Sequence, residues 1–180
     1  MTTTSREIVQ TGIAAFFGGA SYDAATRSYR GAIPSALLAA GLSAVRAHQP
    51  KRASDLDFVY QQAAGRGMGA TMTVELGDDI EIRRAPPAGS GRKRVTYKTT
   101  LHLYHLAYMA HMEDAEADVN GLIEAVKTYI RADVSLGSIC YQAGENSGGI
   151  RTRVLPSAFV NEKTLTDIKI TFDTEVEIVA

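Results

Sequence analysis

At 180 residues with 45% apolar side chains, the chain is long enough for one domain with a sizeable core and cramped for two. Its 19 Lys and Arg against 20 Asp and Glu give a formal net charge of -1, which argues against bulk electrostatic attraction to nucleic acid. Cys140 is the only cysteine, so no intrachain disulfide can form and nothing indicates a disulfide-stapled secreted scaffold.

The opening MTTTSREIVQTGIAAFF has one early Arg and too short an apolar run for a signal peptide or membrane span, so cytosolic synthesis is expected. Thr4 or Ser5 caps a first helix through about Phe17, with Ile8, Val9, Ile13, Phe16 and Phe17 as its stripe and Gly18-Gly19 as its stop. A polar loop with Tyr22, Tyr29 and Arg30 follows. From Ala32 to Ala47 two readings stand: a helix opening after Pro34, or a strand over Leu42–Val45. His48 to about Ser54 reads as a connection, and Leu56 to Tyr60 as a short apolar patch.

Alternation predicts a strand over Ala70–Leu76, a turn at Gly77-Asp78-Asp79 and a return over Ile80–Arg83, the two segments pairing as a hairpin. Arg84 to Gly91, containing APPAGSG, is the clearest loop and precedes a long β-prone segment, so the two could form a projecting β-arm. In that segment Val95, Tyr97, Thr99, Leu101, Leu103, His105, Ala107 and Met109 share the more apolar face. A strand this long either bends midway or extends beyond its own sheet.

The next helix is the most secure element. Ala115, Val119, Leu122, Ile123, Val126 and Ile130 form its stripe. Glu113, Asp114 and Glu116 begin it and Lys127 and Arg131 end it, matching the helix dipole. Gly121 would let it lie close to a sheet. Ser138–Gln142 reads as a short strand, Gly144–Gly149 as a loop, and Ile150–Leu155 as an edge strand ended by Pro156. The final strand runs from Leu165 to Val179, with a break in alternation near Thr174 that suggests a bulge or bend.

The residues carry little chemistry. Gly65-x-Gly67-x-Gly69 lacks the remaining features of a dinucleotide or phosphate loop. His102 and His105, three apart on a strand, point to opposite faces and cannot readily share a metal. His111, Glu113 and Asp114 lack HExxH spacing, and Cys140 has no second cysteine. Ser135 and Ser147 lie in no GxSxG elbow. The carboxylates Asp55 and Asp57, Asp78 and Asp79, and Asp167, Asp173 and Glu175 show no pocket-like periodicity. Cys140 reads as buried and inert. The small basic groups Lys51-Arg52, Arg83-Arg84 and Arg92-Lys93-Arg94 read as solvated loop ends, since no aromatic stacking motif accompanies them. No enzyme, cofactor or metal is expected; the alternative of another class is a small metal-dependent enzyme using His105, His111 and Glu113.

A first amphipathic helix leads to the basic β-segment RKRVTYKTTLHLYHLAYM. The acidic-start helix EADVNGLIEAVKTYIRAD, the turn SLGS and the closing strand LTDIKITFDTEVEIV follow. This order resembles the tail terminator (tail completion) proteins of long-tailed bacteriophages, most closely from Arg92 to Ser138. The resemblance implies a single-domain α+β fold, an α/β sandwich whose mixed or antiparallel sheet is flanked by helices, with a projecting β-hairpin or loop. It implies self-association into a ring, usually a hexamer, that caps the tail tube, stops its polymerisation and joins the head. Tail-tube protein would meet one face and a head-completion protein the other. Double-stranded DNA would pass through the lumen without sequence-specific binding, in the virion neck. Leu136-Gly137 matches a Leu-Gly usual in that family after this helix. The expected interface residues are Arg84, Arg92, Lys93, Arg94, Leu136 and Gly137. A head-tail connector or the tail-tube protein itself, of the same architecture, is the nearest alternative, and a general host-cell interaction module is another.

Overall fold

In chain order the protein forms helix α1 (Ser5–Phe16), strands β1 (Ser21–Asp23) and β2 (Ser28–Arg30), helix α2 (Ser35–Ala39), and strands β3 (Leu42–Arg46), β4 (Met68–Arg83) and β5 (Arg92–Tyr108). Helix α3 (Met112–Ala132), β6 (Gln142–Ala143), a 3-10 turn (Gly144–Ser147), β7 (Arg151–Val154), β8 (Ala158–Val160) and β9 (Lys163–Val179) complete it. The computed structural model describes residues 5–19, 21–23, 28–48, 68–83, 92–108, 112–160 and 163–179. The expectations for Leu56–Tyr60, the Gly65 and Gly67 loop and Arg84–Gly91 lie outside these residues, as do those for Met109 and His111.

The main sheet runs β3-β4-β5-β9, with β6, β7 and β8 all paired to the other side of β9. β3 is parallel to β4 and every other pairing is antiparallel, so the sheet is mixed and the domain α+β, as expected. β1 and β2 form a separate antiparallel pair where a plain loop was expected. Three-residue strands are too short to show a periodicity.

β5 settles the geometry. It pairs with β9 without interruption from Arg92 opposite Val179 to Tyr108 opposite Lys163. It therefore does not overhang its sheet, because a strand of equal length lies beside it. Thr174 is no bulge either. It is buried in register, and its hydroxyl lies 2.8 Å from that of Thr99 on the neighbouring strand.

The irregularity falls on β4. Between Leu76 opposite Thr99 and Asp79 opposite Tyr97, β4 carries one extra residue. The expected hairpin inside residues 70–83 is thus replaced by one bulged strand, whose antiparallel partner is β5. Gly77-Asp78-Asp79 has turn composition, but pairing on against the long β5 keeps the ladder hydrogen bonds that a reversal would lose. The bulge also switches which residues face the helices: Val74 and Leu76 before it, Asp79 and Glu81 after it. Ile80 and Ile82 are consequently turned to the face opposite α1 and α3.

One core joins the helices to the other face. Val9 and Ile13 of α1, Phe17 just after it, and Leu122, Val126 and Ile130 of α3 pack with Leu101, Leu103, Ile170 and Phe172 of the sheet. Leu37 of α2 is fully buried in the same cluster. Both readings of 32–47 apply in succession, since α2 stops at Gly41 and β3 starts at once. Phe16, Phe17 and Tyr129 pack ring to ring, with centroids 4.7 to 5.8 Å apart, tying α1 to α3. Ile8, expected in the stripe, is exposed.

Two glycines have opposite meanings. Gly121 faces open space, with no atom within 4 Å of where a Cβ would sit, so it does not serve the close helix–sheet approach expected of it. Gly18 ends α1 at φ 87°, and a Cβ there would strike the Ala32–Ile33 backbone. Gly121→Ala should therefore raise the unfolding free energy by about 1 kcal/mol, while Gly18→Ala should lower it by more than 1 kcal/mol, roughly. Denaturant titrations of the two variants check both signs.

Candidate functional site

The basic entry of β5 is one of the expected contact regions. The Nη1 of Arg94 donates to Glu175 at 2.9 Å, the two side chains being only 15% and 16% exposed. The same guanidinium sits 4.8 Å from the ring centroid of Tyr141, whose own face is open to solvent. Arg94 is thus engaged within its own subunit, holding the β6 side of the sheet to β5 through a cation–π contact and an ion pair. Lys93 differs: its ammonium donates to Glu81 at 3.2 Å in an exposed pair across the β4–β5 hairpin. Arg92 is the first residue of β5, and Arg84 lies outside the described residues.

The second expected region is the turn after α3. Asp133 organises it: one carboxylate oxygen accepts from the Ser135 hydroxyl (2.6 Å) and N–H (2.9 Å), the other from the Gly137 N–H (2.8 Å). The Ser135 hydroxyl, then the Gly137 amide, hold its carboxyl below the usual carboxylate range. These bonds support three successive left-handed residues, Leu136 at φ 49°, Gly137 at φ 73° and Ser138 at φ 68°. Left-handed backbone costs a residue with a Cβ roughly 1–2 kcal/mol; here it drives the Leu136 side chain fully into the core. Leu136 is therefore an anchor inside the subunit, and only Gly137 and Ser138 are exposed.

The histidines separate as their spacing requires. His105 lies on the helix-covered face, 3% exposed, where burial lowers its pKa and the nearby Asp118 of α3 opposes this. His102 lies on the other face with its Nε2 2.6 Å from the Glu75 carboxylate. Two buried hydroxyls on that face, of Thr71 and Thr73, have no hydrogen-bond partner among the described residues. Glu75 escaped the sequence reading because β4 and β5 meet only in the fold, 27 residues apart at this pair. Among the described residues no group of three His, Cys, Asp or Glu side chains is placed to hold a metal ion. Glu113 and Asp114 lie in the first turn of α3. Cys140 is buried and its thiol pushed up to about 12, chiefly by desolvation, so it stays protonated.

A hollow of about 140 Å³ on the face opposite α1 and α3 is bordered by Lys98, Arg151, Asp173 and the Gly148-Gly149 turn. It is smaller than the roughly 300 Å³ at which ordinary small-molecule sites begin. Around it Lys98 stands opposite Asp173, and Lys169 follows two positions from Asp167, so positive and negative charge alternate over the sheet.

A scan against models of known protein families finds no match to the chain, and a search of curated proteins finds none.

Two outcomes follow from the geometry. Unfolding exposes His105 to water, where it protonates near 6.5, whereas the folded state resists protonation. The unfolded chain then binds more protons, so stability should fall as pH drops below about 6.5 towards the lower folded value, by at most about 1.4 kcal/mol per pH unit. His105→Gln should flatten that slope in pH-dependent denaturation. Separately, Arg94→Glu would set two carboxylates together in a largely buried place and should cost roughly 2–4 kcal/mol, against less than about 1 kcal/mol for Lys93→Glu, as read from paired melts.

Proposed function

We propose that the chain is a structural, non-enzymatic component of a bacteriophage tail: a tail terminator that forms a ring, caps the tail tube and offers the surface that joins the head. The observation that carries this reading is the order of elements. An amphipathic α1 precedes a long hairpin with a basic second strand. An α3 with an acidic start runs into a Leu-Gly turn, and a last strand pairs the hairpin from end to end. That is the order to which the resemblance with tail terminators points.

The physics suits an assembly role. A closed ring needs two different, complementary surfaces on each subunit. The sheet has two unlike sides, with β6, β7 and β8 along β9 and the long β4 border opposite. A channel for DNA calls for a wall that does not grip phosphates, because each phosphate contact adds salt-sensitive affinity. The alternating charge around Lys98, Asp173, Lys169 and Asp167 meets that condition. The tube end would dock one ring face and a head-completion protein the other.

The deciding measurement is the mass of the purified protein by light scattering, followed by negative-stain imaging and a capping assay on cognate tail tubes. Discrete open rings that halt tube growth are expected. Long stacks would mean a tube protein instead, and a monomer that fails to cap would overturn the assignment. For the interface, Arg92→Glu with Lys93→Glu is a cleaner variant than any that includes Arg94, whose reversal disturbs the fold itself. The double variant should melt like the wild type and lose ring formation; retained rings would remove this region from the interface.

A further inference from the structure

Among the described residues, the outer border of β4 is open only beyond Asp79. β3 covers only Ala70 to Thr73. Beyond it, α1 caps the border: Gln10 donates to the carbonyl of Val74 at 2.7 Å, and Arg6 donates to those of Leu76 and Gly77 and pairs with Asp79 at 3.0 Å. From Ile80 to Arg83 no strand borders it among the described residues. Ile80 and Ile82 are 65% and 57% exposed there. A free border with apolar side chains is a template for another strand.

The backbone polarity along this border can be read. The Val74 and Leu76 carbonyls point outward, to Gln10 and Arg6, so Leu76 and Thr99 form a non-hydrogen-bonded pair. β5 has no bulge against β9, so its alternation carries on through Tyr97 and Val95. Their partners Asp79 and Glu81 must likewise direct N–H and C=O outward, and Arg83 continues the alternation.

The sequence over this border is Asp79-Ile80-Glu81-Ile82-Arg83. Reversed on itself about Glu81, it sets Asp79 opposite Arg83 and Ile80 opposite Ile82. Opposite charges and apolar side chains then coincide at every position except the centre. Antiparallel partners share a face, so the isoleucines of both copies would meet on the side opposite α1 and α3. At the centre two Glu81 residues face one another, each already engaged by Lys93 of its own chain. The outward N–H and C=O of Glu81 suit a hydrogen-bonded central pair. Arg6 occupies the carbonyls of Leu76 and Gly77, which limits the pairing to the five residues Asp79–Arg83.

We infer that two copies of this chain pair antiparallel along Asp79–Arg83 about a two-fold axis at Glu81, joining their sheets into one. The contact uses the same patch twice, so it stops at two copies and cannot by itself close a ring. It is independent of the tail-terminator reading.

The test is a symmetric cross-link. In a Cys140→Ser background, Glu81→Cys places two thiols on Cα atoms about 5.5 Å apart, within disulfide reach. Asp79→Cys, whose counterpart position is Arg83, is the control. With oxidised glutathione, Glu81→Cys should give a covalent dimer at least tenfold faster than the control. Equal rates, or no dimer, would overturn the pairing whether or not rings form. Without cross-linking, Ile80→Lys with Ile82→Lys should abolish the reversible dimer in sedimentation equilibrium. Glu81→Gln should tighten it by up to about fivefold, because like charges no longer meet. A dimer unchanged by the double lysine variant would place the contact elsewhere.

Discussion

β5 is hydrogen-bonded on both borders, to β4 over nearly its whole length and to β9 over all of it. A strand held on both sides cannot slip by one residue without turning every side chain to the wrong face. Its alternation therefore dictates the rest. Val95, Tyr97, Leu101 and Leu103 define the covered face, and α1 and α3 bury their stripes against it. The other face is left to Lys98, His102 and Thr100. The bulge in β4 is an adjustment to this fixed strand: β4 yields by one residue and β5 does not.

This explains what could be read without coordinates. The faces of β5 and the stripe of α3 are periodic over many residues, and each holds in the fold. Failures concentrate where a short motif had to stand for a tertiary choice. Gly77-Asp78-Asp79 has the composition of a turn, yet a bulge needs only one surplus residue and the same small or polar side chains. Gly121 in a helix signals a cost in propensity but not its cause, and its surroundings hold no close neighbour. Ile8 fits the spacing of the α1 stripe but sits at its margin, on the exposed side.

The candidate site was legible by type more than by role. Separation of His102 and His105 follows from strand geometry alone. The partners do not: Glu75 beside His102, Asp118 near His105 and Tyr141 over Arg94 come from other elements, and no local spacing announces them. Arg94 and Leu136 were singled out as contact residues because of their place in a motif. In the fold Arg94 braces one end of the sheet and Leu136 anchors a turn of left-handed residues. The Leu136-Gly137 turn thus has a local physical reason, since Asp133 accepts from both the Ser135 hydroxyl and the Gly137 amide.

The pairing of β5 with β9 also has a history in time. Residues in contact there lie from 55 positions apart, at Tyr108 and Lys163, to 87, at Arg92 and Val179. Such distant partners close large loops, which slows folding relative to local structure. On the ribosome, β4 and β5 can form their hairpin and α3 can coil while β9 is still unmade. Until it arrives, one entire border of β5 stands bare, with Leu101 and Leu103 beside it. The nascent chain passes through a stage in which its longest strand is its stickiest part, and the order of synthesis makes that stage unavoidable.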